Sequence, residues 1–144
     1  MNEVADKHGW TKFVSMQNEY SLLYREEERE MNAYCNHHGI GLIPWAPLAS
    51  GVLARPLEVS TTRSDSVKNT PFDHELTLAD REIVKRVAEI AGKKGVKQAQ
   101  IALAWVRMKV ASPIVGVNSA ERLKEAITTG IELSEEEVKY LEEP

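Results

Sequence analysis

The stretch Ile43-Pro44-Trp45-Ala46-Pro47-Leu48-Ala49-Ser50-Gly51 constrains this chain more than any other. A short apolar run ends at a tryptophan and passes directly into a turn of proline, small residues and glycine. A parallel strand buried on both faces reads this way. It delivers a flat ring, then nearly bare backbone, to a site at its C-terminal end. Nothing ahead of residue 13 reads as the other half of such a site.

The flanking sequence alternates accordingly. Residues 2–9 read as the end of a helix closed by Gly9, and residues 13–16 as a short strand running into Gln17-Asn18-Glu19-Tyr20. An amphipathic helix is expected over 25–38, with Met31, Tyr34 and Cys35 inward and Gly39 as its left-handed stop. Residues 40–45 form the second strand. From 52 to 77 no periodicity is visible, and so long an aperiodic stretch in a compact domain is usually a functional lid or disordered. Thr77-Leu78-Ala79-Asp80 then reads as a capping box, opening a helix with Ile83, Val84, Val87, Ile90 and Ala91 on one face. A further helix over 97–109 turns Ile101, Ala102, Trp105 and Met108 inward. Residues 113–117 are the third strand. Asn118 or Ser119 caps a helix over 120–128, and Ser134 with Glu137 opens the last one. Strands alternating with helices mean parallel βα units. Three parallel strands make a small sheet with two raw edges, which need cover or a partner. The expectation is an incomplete α/β structure.

At 144 residues the chain is one domain's worth of sequence, and its 42% hydrophobic and 28% charged residues are ordinary for a globular protein. A net charge of −4 with scattered basic residues argues against nucleic acid or an anionic membrane as a partner. No apolar run approaches the ~20 residues of a bilayer span, and the charged N-terminus reads as helix rather than signal peptide. The single cysteine, Cys35, cannot form an internal disulfide, which fits a reducing cytosol.

Several motifs together resemble the aldo-keto reductases, in particular the aryl-alcohol-dehydrogenase-like and potassium-channel-β-subunit-like branch. They are Gln17-Asn18-Glu19-Tyr20-Ser21-Leu22-Leu23 with Arg25 and Glu28, Gly39 through Gly51, Thr62-Arg63-Ser64, and Pro113 through Leu123, in family order from about residue 10 to 144. The resemblance implies a (β/α)8 barrel, of which residues 1–144 would be the last three strands with their helices. It also implies NADPH as cofactor and a small carbonyl compound as substrate. Gln17 resembles the glutamine that bonds the nicotinamide amide, and Trp45 the aromatic that stacks on the ring. Pro47, Leu48, Ser50 and Gly51 match the turn along the pyrophosphate, and Thr62 and Arg63 the loop over it. Gly116, Val117, Asn118, Arg122 and Glu125 match the adenosine end, whereas Ala126 stands where relatives often carry an asparagine.

The residues themselves support part of this. A strand ending at Val117 and a helix capped just after it leave free N–H groups that suit phosphate. Arg122, in the first turn of that helix, is a poor choice for the dipole unless it faces an anion. Glu125 is placed to accept from an adenine amine. Plainer alternatives stand beside each: a solvated arginine on an ordinary capped helix, a core tryptophan, a glutamine bonded to backbone. The acidic run 25–30 reads as a solvated helix face with i,i+4 pairs. His37-His38 suits a helix C-terminus rather than a metal, and Cys35 a small buried hydrophobe rather than a nucleophile.

The family's proton donor is a tyrosine tuned by a lysine, an aspartate and a histidine. Tyr20, Tyr24, Tyr34 and Tyr140 all sit in other motifs, so no catalytic residue is assigned. Two functions are therefore expected: the NADPH-binding C-terminal part of an aldo-keto reductase, active once the missing strands are supplied, or a truncated non-catalytic module. The latter would bind a partner, a complementing barrel half or a second copy through its open sheet edges.

Overall fold

The computed structural model describes residues 1–59, 75–128 and 130–144. A short helix α1 (Asn2–Lys7) leads to strand β1 (Ser15–Met16), a 3-10 turn (Glu26–Glu28) and α2 (Met31–His38). Strand β2 (Gly41–Leu42) is followed by a broken 3-10 segment (Ala49–Ala54), then α3 (Leu78–Lys94), α4 (Gln98–Lys109), α5 (Ala120–Ala126) and α6 (Glu135–Glu142).

The helices that carry their own signals form where the sequence places them. Thr77 and Asp80 cap α3 reciprocally: the Asp80 N–H donates to Thr77 Oγ1 at 3.1 Å and the Thr77 N–H to Asp80 Oδ2 at 2.8 Å. Lys93 and Lys94 lie in the last turn, where cations suit the dipole. Gly95 ends the helix at φ 65°, which a β-carbon disfavours. Ser134 and Glu137 repeat the capping box at α6. The apolar stripe Ile83, Val84, Val87, Ile90 and Ala91 is buried, as read. It packs with Ile101, Ala102, Trp105, Leu141, Leu53 and Tyr20 into one core. Helix α4 is buried along most of its length, whereas Met108, expected inward, is 54% exposed because it falls on the solvent side of the last turn.

Strands β1 and β2 pair in parallel with Ser15 opposite Gly41 and Met16 opposite Leu42, and an isolated bridge pairs Glu19 with Trp45. The expected third strand is corrected: residues 113–117 form no regular strand. Their segment does run beside β2, with the Ala111 and Ser112 amides both donating to the Leu42 carbonyl and the Ile114 amide to that of Pro44 at 2.8 Å. Pro44 has no N–H to return to the Ser112 carbonyl, which interrupts the ladder at its centre.

The helix expected over 25–38 is also shorter and differently held. Only Met31–His38 is α-helical, Tyr34 is exposed, and the acidic run is not simply a solvated face. Arg25 donates to both oxygens of Glu28 at 3.1, 3.1 and 2.8 Å, and the Tyr20 hydroxyl donates to the same carboxylate. Burial alone would raise the Glu28 carboxyl, but the bonds from Arg25 and Tyr20 outweigh it and hold the group below the usual carboxylate range. Glu142 of α6 closes the network, accepting from the Trp105 indole at 2.8 Å and pairing with Lys109 at 2.7 Å. These partners lie far apart in sequence, so periodicity could not announce them.

Candidate functional site

Strand β2 and its continuation place Trp45. Its backbone is clamped, the N–H donating to the Asn18 carbonyl at 2.9 Å and the carbonyl accepting from Tyr20 N–H at 3.2 Å. The side chain is left 38% exposed, so this tryptophan is not a core residue. It borders a groove of about 790 Å³ whose floor is the turn that follows and whose far wall is the segment from Ile114 into α5. That volume falls in the range of small-molecule and cofactor sites.

The turn is unusual backbone. Ala46, Ala49 and Ser50 adopt φ of 54°, 46° and 54°, and Gly51 follows at 93°. Each left-handed non-glycine residue costs about 1–2 kcal/mol. Such runs persist where the surroundings over-determine them, commonly at binding sites. Leu48 lies at φ −105°, ψ 13°, so the step from Leu48 to Ala49 passes from the right-handed side to the left-handed one. Successive N–H groups in that arrangement form a concavity suited to an anion. Gly51 is required for its φ of 93°; a β-carbon there would also lie 2.9 Å from Nη1 at the movable end of Arg55.

At the other end Ser119, rather than Asn118, caps α5, its hydroxyl accepting from Arg122 N–H at 3.2 Å. Gly116, Val117, Asn118, Arg122 and Glu125 all line the groove, as do Pro47, Leu48, Ser50 and Gly51. Glu125 is paired with Lys97, an exposed contact of modest worth that nevertheless occupies the carboxylate. The Ala126 methyl forms wall where an amide side chain would offer hydrogen bonds.

Two expected residues stand apart. Gln17 is exposed, one residue before the carbonyl that holds Trp45, and does not line the groove. Arg63, with Thr62 and Ser64, falls outside the described residues. Sequence reasoning in turn missed Arg55, Ala99 and Leu103, which also line the groove. Ala99 and Leu103 sit four apart on α4 and are themselves buried, while Arg55 lies in the aperiodic stretch and gave no signal. Among the described residues no cluster of His, Cys, Asp and Glu could hold a metal ion, and no helix is long and apolar enough to cross a membrane.

The sequence model of the aldo/keto reductase family matches residues 1–144. The chain belongs to that family. An aldo-keto reductase of Fusarium vanettenii is 50% identical over 147 residues, covering 99% of this chain and 40% of the relative. One of Alternaria alternata is 47% identical over 143 residues, covering 99% and 39%. A Saccharomyces cerevisiae protein carrying the aryl-alcohol dehydrogenase name is 46% identical over 146 residues, covering 97% and 42%. The chain thus spans about two-fifths of the length of the curated relatives it matches. Aldo-keto reductases are oxidoreductases of small carbonyl compounds that use nicotinamide cofactors, and their fold is a (β/α)8 barrel. The small open sheet with helices around it is consistent with part of such a barrel.

Proposed function

We propose that this aldo-keto reductase segment binds NADPH in extended form along the groove, as the cofactor-holding part of an enzyme that reduces aldehydes or ketones to alcohols. The observation carrying this reading is the order of groups along one groove: an exposed indole, a left-handed turn of small residues, then a capped helix with Arg122 in its first turn. A bound nicotinamide supplies hydride to a carbonyl carbon. Trp45 offers a flat face for the nicotinamide ring, and Gln17, exposed outside the groove lining on the segment paired with Trp45, is proposed for its carboxamide. The turn of Pro47, Leu48, Ser50 and Gly51 brings main chain close to the pyrophosphate, where the small Ser50 and Gly51 leave room. Asn118 and Arg122 face the adenosine end, and Arg122 brings a planar fork suited to a 2′-phosphate. Arg63 would add a further cation to the phosphates.

The proton donor is assigned to no tyrosine here. Tyr20 is buried on Trp105 and bonded to Glu28, and burial first, then that carboxylate, push its hydroxyl above the ordinary range. A proton donor working near neutrality needs the opposite tuning. The lone buried Cys35, which has no internal disulfide partner, supports a reducing, cytosolic setting for this reading.

Calorimetric titration of the chain tests the reading. NADPH should bind more tightly than NADH, and Arg122→Glu should abolish most of that difference, about tenfold for one charged contact to phosphate. Equal losses for both cofactors would remove Arg122 from the 2′-phosphate. A second reading is supported by the exposed Trp10, Phe13 and Val14 in the segment leading into β1. In that reading the face seats a complementing barrel half or a second copy, and the chain alone is a non-catalytic module.

A further inference from the structure

Among the described charged residues of the groove, Arg55 grips the turn itself. Its Nη1 donates to the Gly51 carbonyl at 2.9 Å and its Nε to the Val59 carbonyl at 2.7 Å. One planar guanidinium thereby fastens two main-chain points eight residues apart, which a single ammonium does far less well. The fastened point, Gly51, ends the left-handed run that includes Ala49 and Ser50, a conformation these residues do not hold by preference. Gly51 also leaves the space that Arg55 Nη1 fills, since a β-carbon would lie 2.9 Å from it.

We infer that Arg55 is a positioning residue of the groove, holding the turn at Ala49–Gly51 in its binding form through the Gly51 carbonyl rather than by charge. The inference rests on the dinucleotide reading of the groove and adds to it the element that pre-organises its middle. A ligand that spans the turn depends on Arg55, whereas one confined to the end near Arg122 does not. Replacing Gly51 acts on the same contact from the other side: a methyl displaces the guanidinium and adds the cost of φ 93° on an alanine.

Two probes separate the possibilities, NADPH across the whole groove and adenosine 2′,5′-bisphosphate at one end, both titrated calorimetrically. Arg55→Ala should weaken NADPH about tenfold, the worth of a hydrogen bond to a charged group, and leave the bisphosphate within about twofold. Arg55→Lys should lose as much as Arg55→Ala, because charge without the fork does not restore the contact. Gly51→Ala should cost less in the Arg55→Ala background than in the wild type, as expected for residues acting through one contact. Faster amide exchange at Gly51 and Leu53 in Arg55→Lys gives a readout independent of any ligand. Recovery of NADPH affinity in Arg55→Lys, equal losses for both probes, or additive effects of the two substitutions would overturn the positioning role. A wild-type chain that binds neither probe overturns the dinucleotide reading and this inference with it. One that binds both, with Arg55→Ala unchanged, overturns the Arg55 role alone.

Discussion

Ala49 sits at φ 46° in a turn whose neighbours Ala46 and Ser50 are also left-handed. Glycine there would relieve roughly 1 kcal/mol of backbone strain while adding about 0.5–1 kcal/mol of unfolded-state entropy. Ala49→Gly is therefore expected to be neutral or stabilising by up to about 0.5 kcal/mol. Ala104→Gly, inside α4, should cost about 1 kcal/mol or more. Denaturant midpoints at unchanged slope measure both, and equal destabilisation would show that the Ala49 conformation carries no strain. The sequence announced a turn here but not its handedness, because alanine is no signal for positive φ and only Gly51 pointed that way. Trp45 was better marked, since Pro44 before it and a small-residue turn after it favour a ring at a strand mouth. The Lys97–Glu125 pair was not legible, its partners lying 28 residues apart with no local pattern linking them.

Periodicity and capping specified α3, α4 and α6 because their signals are local: a reciprocal cap, an apolar stripe and, for α3, a left-handed glycine. The stretch from Arg25 to Glu30 was misread because its charges answer to Tyr20, Lys109 and Glu142, which no helical period links to it. The third strand was half right. It lies where a strand belongs, but Pro44, in the run continuing β2, has no N–H to bond it in return. The Arg25–Glu28–Glu142 network has a consequence with pH. Glu28 is held below its ordinary value in the folded chain, so its contribution is fully present above the unfolded carboxyl pKa of about 4.3. That contribution is lost as pH falls through the folded value. Glu28→Gln should cost about 1–2 kcal/mol at pH 7 and should flatten the acid side of a stability-against-pH curve. An unchanged acid limb in Glu28→Gln would mean that another carboxylate governs it.

Taken as a body, the chain is a helical core carrying three extended segments side by side, with β1 at one edge and the groove where the β2 run ends. Family membership follows from the match across residues 1–144, and the barrel from the family; the small sheet alone would not have specified it. The apolar residues Trp10, Phe13 and Val14 exposed beside β1 are understandable if that edge meets further strands of a barrel, since the chain spans about two-fifths of its relatives. The roles of Trp45, Arg55 and Arg122 all depend on the groove being a dinucleotide site. Amide-resolved NMR of the chain titrated with NADPH tests this most directly. Shifts should cluster at residues 45–55 and 116–125, with α3 and α6 unmoved; a spectrum that does not respond, or responds only around Phe13 and Val14, would contradict it.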